Sequence, residues 1–392
     1  MIFKYDDSVK LALNPTEWNI NSPKEVLQFA VCGMLYMPGT NVKIVDDIIN
    51  HHIPRISSIC LCLEDAIGDD MVKKAEGCVK HILRGIYNAV HEGRLDINDV
   101  PLIFVRVREP KQITRLFKLC GTRAFSVLSG FNLPKFDRGN CDDYLHEFEG
   151  VLKANMKSNK RPLYIMPIIE SKNVMYRQRR MDQLIYINDR LVLYSDYVLN
   201  IRVGATDFCS LFGIRRNIKS NIYDMNVIAD CLADVVNVFA RNYIVSGPVW
   251  EFFNSHGIEG EWSEGLKREL FLDKLNGFTG KTCIHPSQLK YIQENCIPTY
   301  EQYKDATAIL GMADGLKGVK KGYGGNKMNE VKTHSTWAKR VIGLAEIFGV
   351  LAEEPVDNFN QRREKEDTGV AEGSENLANI KLDTEDMVQE KE

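Results

Sequence analysis

Residues 163–171 read Leu-Tyr-Ile-Met-Pro-Ile-Ile-Glu-Ser, an apolar run that stops on a carboxylate. A strand that is apolar on both faces has to be covered on both, as in a parallel sheet flanked by helices. The same pattern recurs along the chain. Further apolar runs lie near 33–37 (GMLYM), 58–63 (SICLCL), 101–107 (PLIFVRV), 125–133 (FSVLSGFNL), 197–203 (YVLNIRV), 242–246 (NYIVS) and 280–284 (GKTCI). With 163–169 they make eight strand candidates. Between most of them lie amphipathic segments such as Val72 to Ala89, with apolar positions about 3.6 residues apart. Eight such units in about 270 residues predict a (β/α)8 TIM barrel. A doubly wound open sheet is the alternative, and the absence of GxGxxG after the first strand weakens its dinucleotide-binding form.

The residues that end each apolar run point to function. Pro38-Gly39, Glu64-Asp65, Arg106, Pro134-Lys135, Glu170-Ser171, Asp207, Gly247-Pro248 and His285-Pro286 all sit at or just past strand ends. In a parallel barrel those positions converge on one rim, where the βα loops build the active site. Charges at strand ends add nothing to a core.

Glu170 and Asp207 lie past neighbouring strands, so one cation is within reach of both. Two carboxylates completed by water and a chelating substrate suit Mg2+; capping of the next helices is the competing role. Arg106 and Arg108 share strand parity, and guanidinium suits bidentate capture of a substrate carboxylate. A surface ion pair with Glu109 or Asp65 is the alternative. Glu64 or Asp65 would hold metal-bound water or orient Arg106, unless they cap a helix. Lys135 would neutralise an oxyanion or pair with Glu170. His285 is an acid, base or ligand by type, and equally a hydrogen-bonded structural residue. Gly39 and Gly247 permit tight loops or close ligand approach. Arg177, Arg179, Arg180, Arg215 and Arg216 form two basic clusters that would receive phosphate groups or lie on solvated helix faces.

Composition narrows the partners. The 392 residues carry 50 basic and 53 acidic side chains, a formal charge of −3. The segment 353–392 holds 13 acidic and 5 basic residues, so it carries −8 and the remaining body +5. A mildly basic body fits an anionic small molecule and is too weak for nucleic acid. No run reaches the ~18 apolar residues of a membrane helix, and no signal-peptide pattern opens the chain. Ten cysteines without CxxC or zinc-type spacing read as buried thiols of a cytoplasmic protein. The expected organisation is a barrel over 1–310, a C-terminal helical extension over 311–352 and a disordered acidic tail over 353–392.

Seven segments, in order, resemble the HpcH/HpaI aldolase and citrate lyase β-subunit superfamily. They are Leu35-Tyr-Met-Pro-Gly39, Leu63-Glu-Asp-Ala66, Phe104-Val-Arg-Val107, Leu133-Pro-Lys135, Pro167-Ile-Ile-Glu-Ser171, Gly204-Ala-Thr-Asp-Phe208 and Lys281-Thr-Cys-Ile-His-Pro-Ser-Gln288. The subgroup resembled most is the C–C bond lyase-like proteins found with tellurium-resistance and stress operons. The resemblance implies a TIM barrel, often trimeric, that makes or breaks carbon–carbon bonds beside a carbonyl, commonly with a CoA thioester and a 2-oxo acid. By position it implies Glu170 and Asp207 as Mg2+ ligands and Arg106 as the residue holding the oxo-acid carboxylate. Glu64 and Asp65 become the acidic pair near the metal. Asn326-Lys-Met-Asn-Glu-Val-Lys332 resembles the family's last catalytic segment, which can reach a neighbouring subunit, with a helix from about Ser335 to Leu351 after it. Glu330 stands there in place of an aspartate, and Arg108 in place of an asparagine. Glu170 and Asp207 are about ten positions further apart than in simpler members. These departures leave CoA in question and keep two alternatives: a biosynthetic lyase on a phosphorylated or nucleotide-like substrate, and a non-catalytic ligand-binding barrel.

Overall fold

The computed structural model describes residues 1–312 and 318–353. Eight parallel strands form the centre: β1 (Gly33–Pro38), β2 (Ser58–Cys62), β3 (Leu102–Arg106), β4 (Leu128–Leu133), β5 (Tyr164–Ile169), β6 (Ile201–Val203), β7 (Val245–Ser246) and β8 (Lys281–Cys283). Consecutive strands pair from β1 through β7, and β1 also pairs with β8. A bridge between Gly247 and Lys281 joins β7 to β8 and closes the barrel. All eight expected strands are present. The run at 125–133 enters its strand only at Leu128, because Thr122–Phe125 is helical. The run at 197–203 is a strand only from Ile201, after a 3-10 turn at Ser195–Tyr197.

The strand residues are almost wholly buried, as expected of a sheet covered on both faces. The outer ring is amphipathic. In the helix Val72–His91, for example, Ala75, Val79, Ile82, Leu83 and Ile86 are buried at three- and four-residue steps.

Past the barrel come the helix Tyr300–Gly311, a hairpin of β9 (Val319–Lys321) and β10 (Met328–Glu330), and the helix Val331–Phe348. The expected start near Ser335 is four residues late, since the hairpin runs directly into the helix. That helix packs on Tyr300–Gly311 and on Lys24–Ala30. Phe348 stacks on Phe3 at 4.7 Å, and Val350–Leu351 pairs with Leu11–Leu13, so the extension clasps the N-terminal segment. Past Glu353 the acidic tail lies outside the described residues.

Candidate active site

The rim residues of β2, β3, β4, β5 and β6 meet around one guanidinium. Arg106, the last residue of β3, reaches Glu64 at 2.7 Å, Asp65 at 2.9 Å and Glu170 at 2.8 Å. Three carboxylates hold its charge firmly, and its pKa is raised despite burial. Lys135 closes the ring. Its ammonium contacts Glu64 and lies 3.4 Å from Asp65 and 3.9 Å from Asp207; burial would lower its pKa, but Glu64, Asp65 and Glu170 raise it.

Backbone geometry sets this up. Lys135 has a left-handed φ of 49°, uncommon outside glycine, and its N–H thereby donates to Glu170 Oε1 at 3.0 Å. Asn140 Nδ2 donates to the Lys135 carbonyl at 2.9 Å and steadies that loop. Asp137 accepts from Ser171 Oγ at 2.6 Å and from Asn173, which fixes the chain just past Glu170. Gly204, at the head of the helix Ala205–Leu211, leaves the space in which the Glu170 carboxylate lies: a Cβ there would stand 2.1 Å from Glu170 Oε2.

Glu170 is only 4% exposed, and burial beside the Asp207 carboxylate pushes its pKa up to about 7, even with Arg106 in contact. Asp207 is also raised, chiefly by burial and then by neighbouring acids such as Asp65. Asp65 is half exposed; burial would raise it, but Arg106, Glu64 and Lys135 bring it below the ordinary range. Two crowded carboxylates that resist ionisation are the pair a divalent cation would relieve. Hard oxygen donors in a cradle that a Cβ would fill fit Mg2+, with water and substrate supplying the remaining ligands. Among the described residues no group of three or more His, Cys, Asp or Glu side chains is arranged to hold a metal, so these two acids would act without a third.

Other expected site residues make contacts outside this ring of charges. Arg108 donates to the carbonyls of Leu63, Glu64 and Ile67 and pairs with Asp69. It holds the 63–69 loop through these contacts. His285 caps the short turn Pro286–Gln288 through Ser287 and stacks on Phe253 at 4.5 Å; burial lowers its pKa. Gly39 is packed against Leu63, where a Cβ would meet Cδ2 at 2.7 Å, so its smallness serves the fold. Glu330 accepts from Thr333, and its N–H donates to His334; it touches none of the rim acids of its own chain.

One arginine of each basic cluster is buried and ion-paired. Arg180 is buried between Asp230 and Asp234, both at 2.8 Å, and Arg177 lies 3.9 Å from Asp230. Arg216 is buried against Glu269 and Glu251, and Arg215 pairs with Glu251 at 3.3 Å. Arg177, Arg179 and Arg215 remain exposed at the surface.

Sequence reasoning misses the polar residues inside the strands. Tyr36, Asn132 and Arg202 face one another in the lumen below the rim, with Asn132 Nδ2 donating to Tyr36 at 2.6 Å. Only the polar type of each residue within an apolar run hints at this.

A (β/α)8 barrel with acids, an arginine and a lysine gathered at its C-terminal rim has the layout of a TIM-barrel active site. The model of the C–C bond lyase of the TIM-barrel fold matches residues 25–350, and the chain belongs to that family. Solved structures share the fold. A citrate lyase from Burkholderia xenovorans LB400 superposes with a TM-score of 0.58 at 15% identity, over 82% of this chain and 94% of that one. The CitE protein of Mycobacterium tuberculosis, in complex with magnesium, acetoacetate and coenzyme A, gives 0.50 at 15% identity, over 80% and 97%. No curated protein matches the sequence significantly.

Proposed function

We propose that this barrel is a Mg2+-dependent carbon–carbon bond lyase or aldolase acting on a 2-oxo acid or its hydroxy-acid adduct. The observation that carries the reading is the Glu170–Asp207 pair, crowded beside an arginine on the rim of a C–C bond lyase barrel. Glu170 and Asp207 would hold the metal, which when bound supplies a Lewis acid to polarise the substrate carbonyl.

The chain's own residues do the rest. Glu64, Asp65 and Glu170 fix the orientation of the Arg106 guanidinium, which would share its charge between them and an anionic substrate. Lys135, tied to Glu64 and Asp65, offers an ammonium N–H to the oxygen on which charge develops as the carbon–carbon bond breaks. Glu330 is the proton acceptor in this reading and acts from a neighbouring chain of a homo-oligomer, a trimer in the first instance. That it touches no rim acid of its own chain supports this placement. A cytoplasmic location belongs to the same reading. A CoA thioester remains a candidate because the mycobacterial protein's complex holds coenzyme A. The phosphorylated-substrate alternative rests on the exposed Arg177, Arg179 and Arg215, since Arg180 and Arg216 are taken up in buried ion pairs.

The test is proton exchange. With Mg2+ in D2O, the enzyme should wash out the pyruvate methyl protons seen by NMR, and Glu170→Gln should not. Wild-type protein that neither exchanges pyruvate nor cleaves any hydroxy-acid thioester or free hydroxy acid, at any Mg2+ concentration, overturns the reading.

A further inference from the structure

Among the described residues, one buried arginine of the barrel lacks both an anion and a set of carbonyl partners. Arg202 lies on β6, in register with Ile168 of β5 and Ser246 of β7. It is 1% exposed. Its Nη2 donates to Thr282 Oγ1 on β8 at 2.8 Å, and its guanidinium lies 5.8 Å from the centre of the Tyr36 ring on β1. These contacts cross the lumen, so the head group sits inside the barrel. Glu170 stands two residues past Ile168, which places the rim acids just above.

Nε and Nη1 of Arg202 are buried without a hydrogen-bond partner, and no carboxylate lies within 4.0 Å among the described residues. The other buried arginines have more partners, although Arg216 Nε is also without a hydrogen bond. Arg161 has the carbonyls of Ile20, Ser126 and Leu128, Arg180 has two aspartates, and Arg216 has two glutamates. Arg106 Nε and Asn132 Oδ1 are orphaned in the same lumen. Orphaned buried polar atoms are rare and cost free energy, and here three residues from β3, β4 and β6 share one space. Tyr36 and Thr282, which contact Arg202, are half-buried.

Charge supports a ligand over a purely structural role. Arg106 is neutralised by three acids that also fix its geometry, so capture of a further carboxylate by Arg106 alone has to compete with them. Arg202 has no such competitor. Guanidinium in a low-dielectric lumen is a strong carboxylate receptor.

We propose that Arg202 is a specificity-determining residue that takes a carboxylate of the substrate in the space bounded by Tyr36, Asn132 and Thr282. The inference rests on the reading that the substrate is a small organic acid. Binding of oxaloacetate, pyruvate and malonate, each with Mg2+, is measured by calorimetry on wild type, Arg202→Gln and Arg202→Lys, with ligand-free melting temperatures alongside. For at least one acid, Arg202→Gln weakens binding by about 30-fold, the order expected for a charge-assisted pair. Arg202→Lys recovers part of it, and neither variant alters Mg2+ affinity alone. The ligand-free Gln variant melts no lower than wild type, because it removes an unpaired buried charge. Equal carboxylate affinity in wild type and Arg202→Gln overturns the inference. So does a wild type that binds none of the three acids. If Arg202-dependent binding is found without proton exchange or bond cleavage, the lyase reading fails and the carboxylate site stands.

Discussion

Replacing Glu170 by Gln should stabilise the protein when no divalent cation is present. The native carboxyl titrates near 7, against an ordinary value of 4.5, because it is buried beside Asp207. Between those values the native state keeps a proton that the unfolded chain has lost. Stability therefore falls as pH rises from about 4.5 to 7 and is flat above. The 2.5-unit difference, at about 1.36 kcal/mol per unit, amounts to roughly 3 kcal/mol. Gln mimics the protonated form: its oxygen can accept from Arg106 and from the Lys135 N–H while its amide faces Asp207. In EDTA at pH 8, Glu170→Gln should melt roughly 4–5 °C above wild type, given the unfolding entropy of a chain this size. At pH 5 the gap should nearly close. Saturating Mg2+ should reverse the order, since only wild type gains binding energy. Calorimetric or fluorescence melting across pH 5–8 reads all three. A Gln variant that melts below wild type at pH 8 in EDTA, or tracks it at every pH, refutes the account of this carboxylate.

Other perturbations separate site from scaffold. Gly204→Ala puts a Cβ 2.1 Å from Glu170 Oε2, so Mg2+ affinity should drop at least tenfold with the fold intact; unchanged affinity by calorimetry would count against the cradle. Lys281→Met strands Glu269 and Asp273, both buried with it, and should cost about 3–5 kcal/mol in denaturant melts. A loss under about 1 kcal/mol would show that Arg216 and Tyr223 suffice for those acids. Arg108→Ala should raise amide exchange across residues 63–69 and leave Mg2+ affinity nearly unchanged; exchange confined to residue 108 would refute its role in that loop.

The barrel was legible because its signal is local. Each strand is a short apolar run and each helix an apolar stripe, and the rim falls where the runs end. Glu170, Asp207, Arg106, Lys135, Glu64 and Asp65 met as that logic required. What misled was adjacency. Arg108 lies just past the rim in sequence but turns back to the carbonyls of the preceding loop. Arg180 looked free because its acids, Asp230 and Asp234, lie some fifty residues on. Arg202 was invisible for the opposite reason: inside an apolar strand, nothing in the pattern says which way one polar residue points or what it lacks.

The central claim is that Glu170 and Asp207 together bind a magnesium ion that carries the chemistry. Titration of Mg2+ into wild type, Glu170→Gln and Asp207→Asn, with and without oxaloacetate, tests it most directly. The account predicts binding to wild type that tightens with oxaloacetate and is lost in both variants. Equal Mg2+ binding by all three proteins would contradict it.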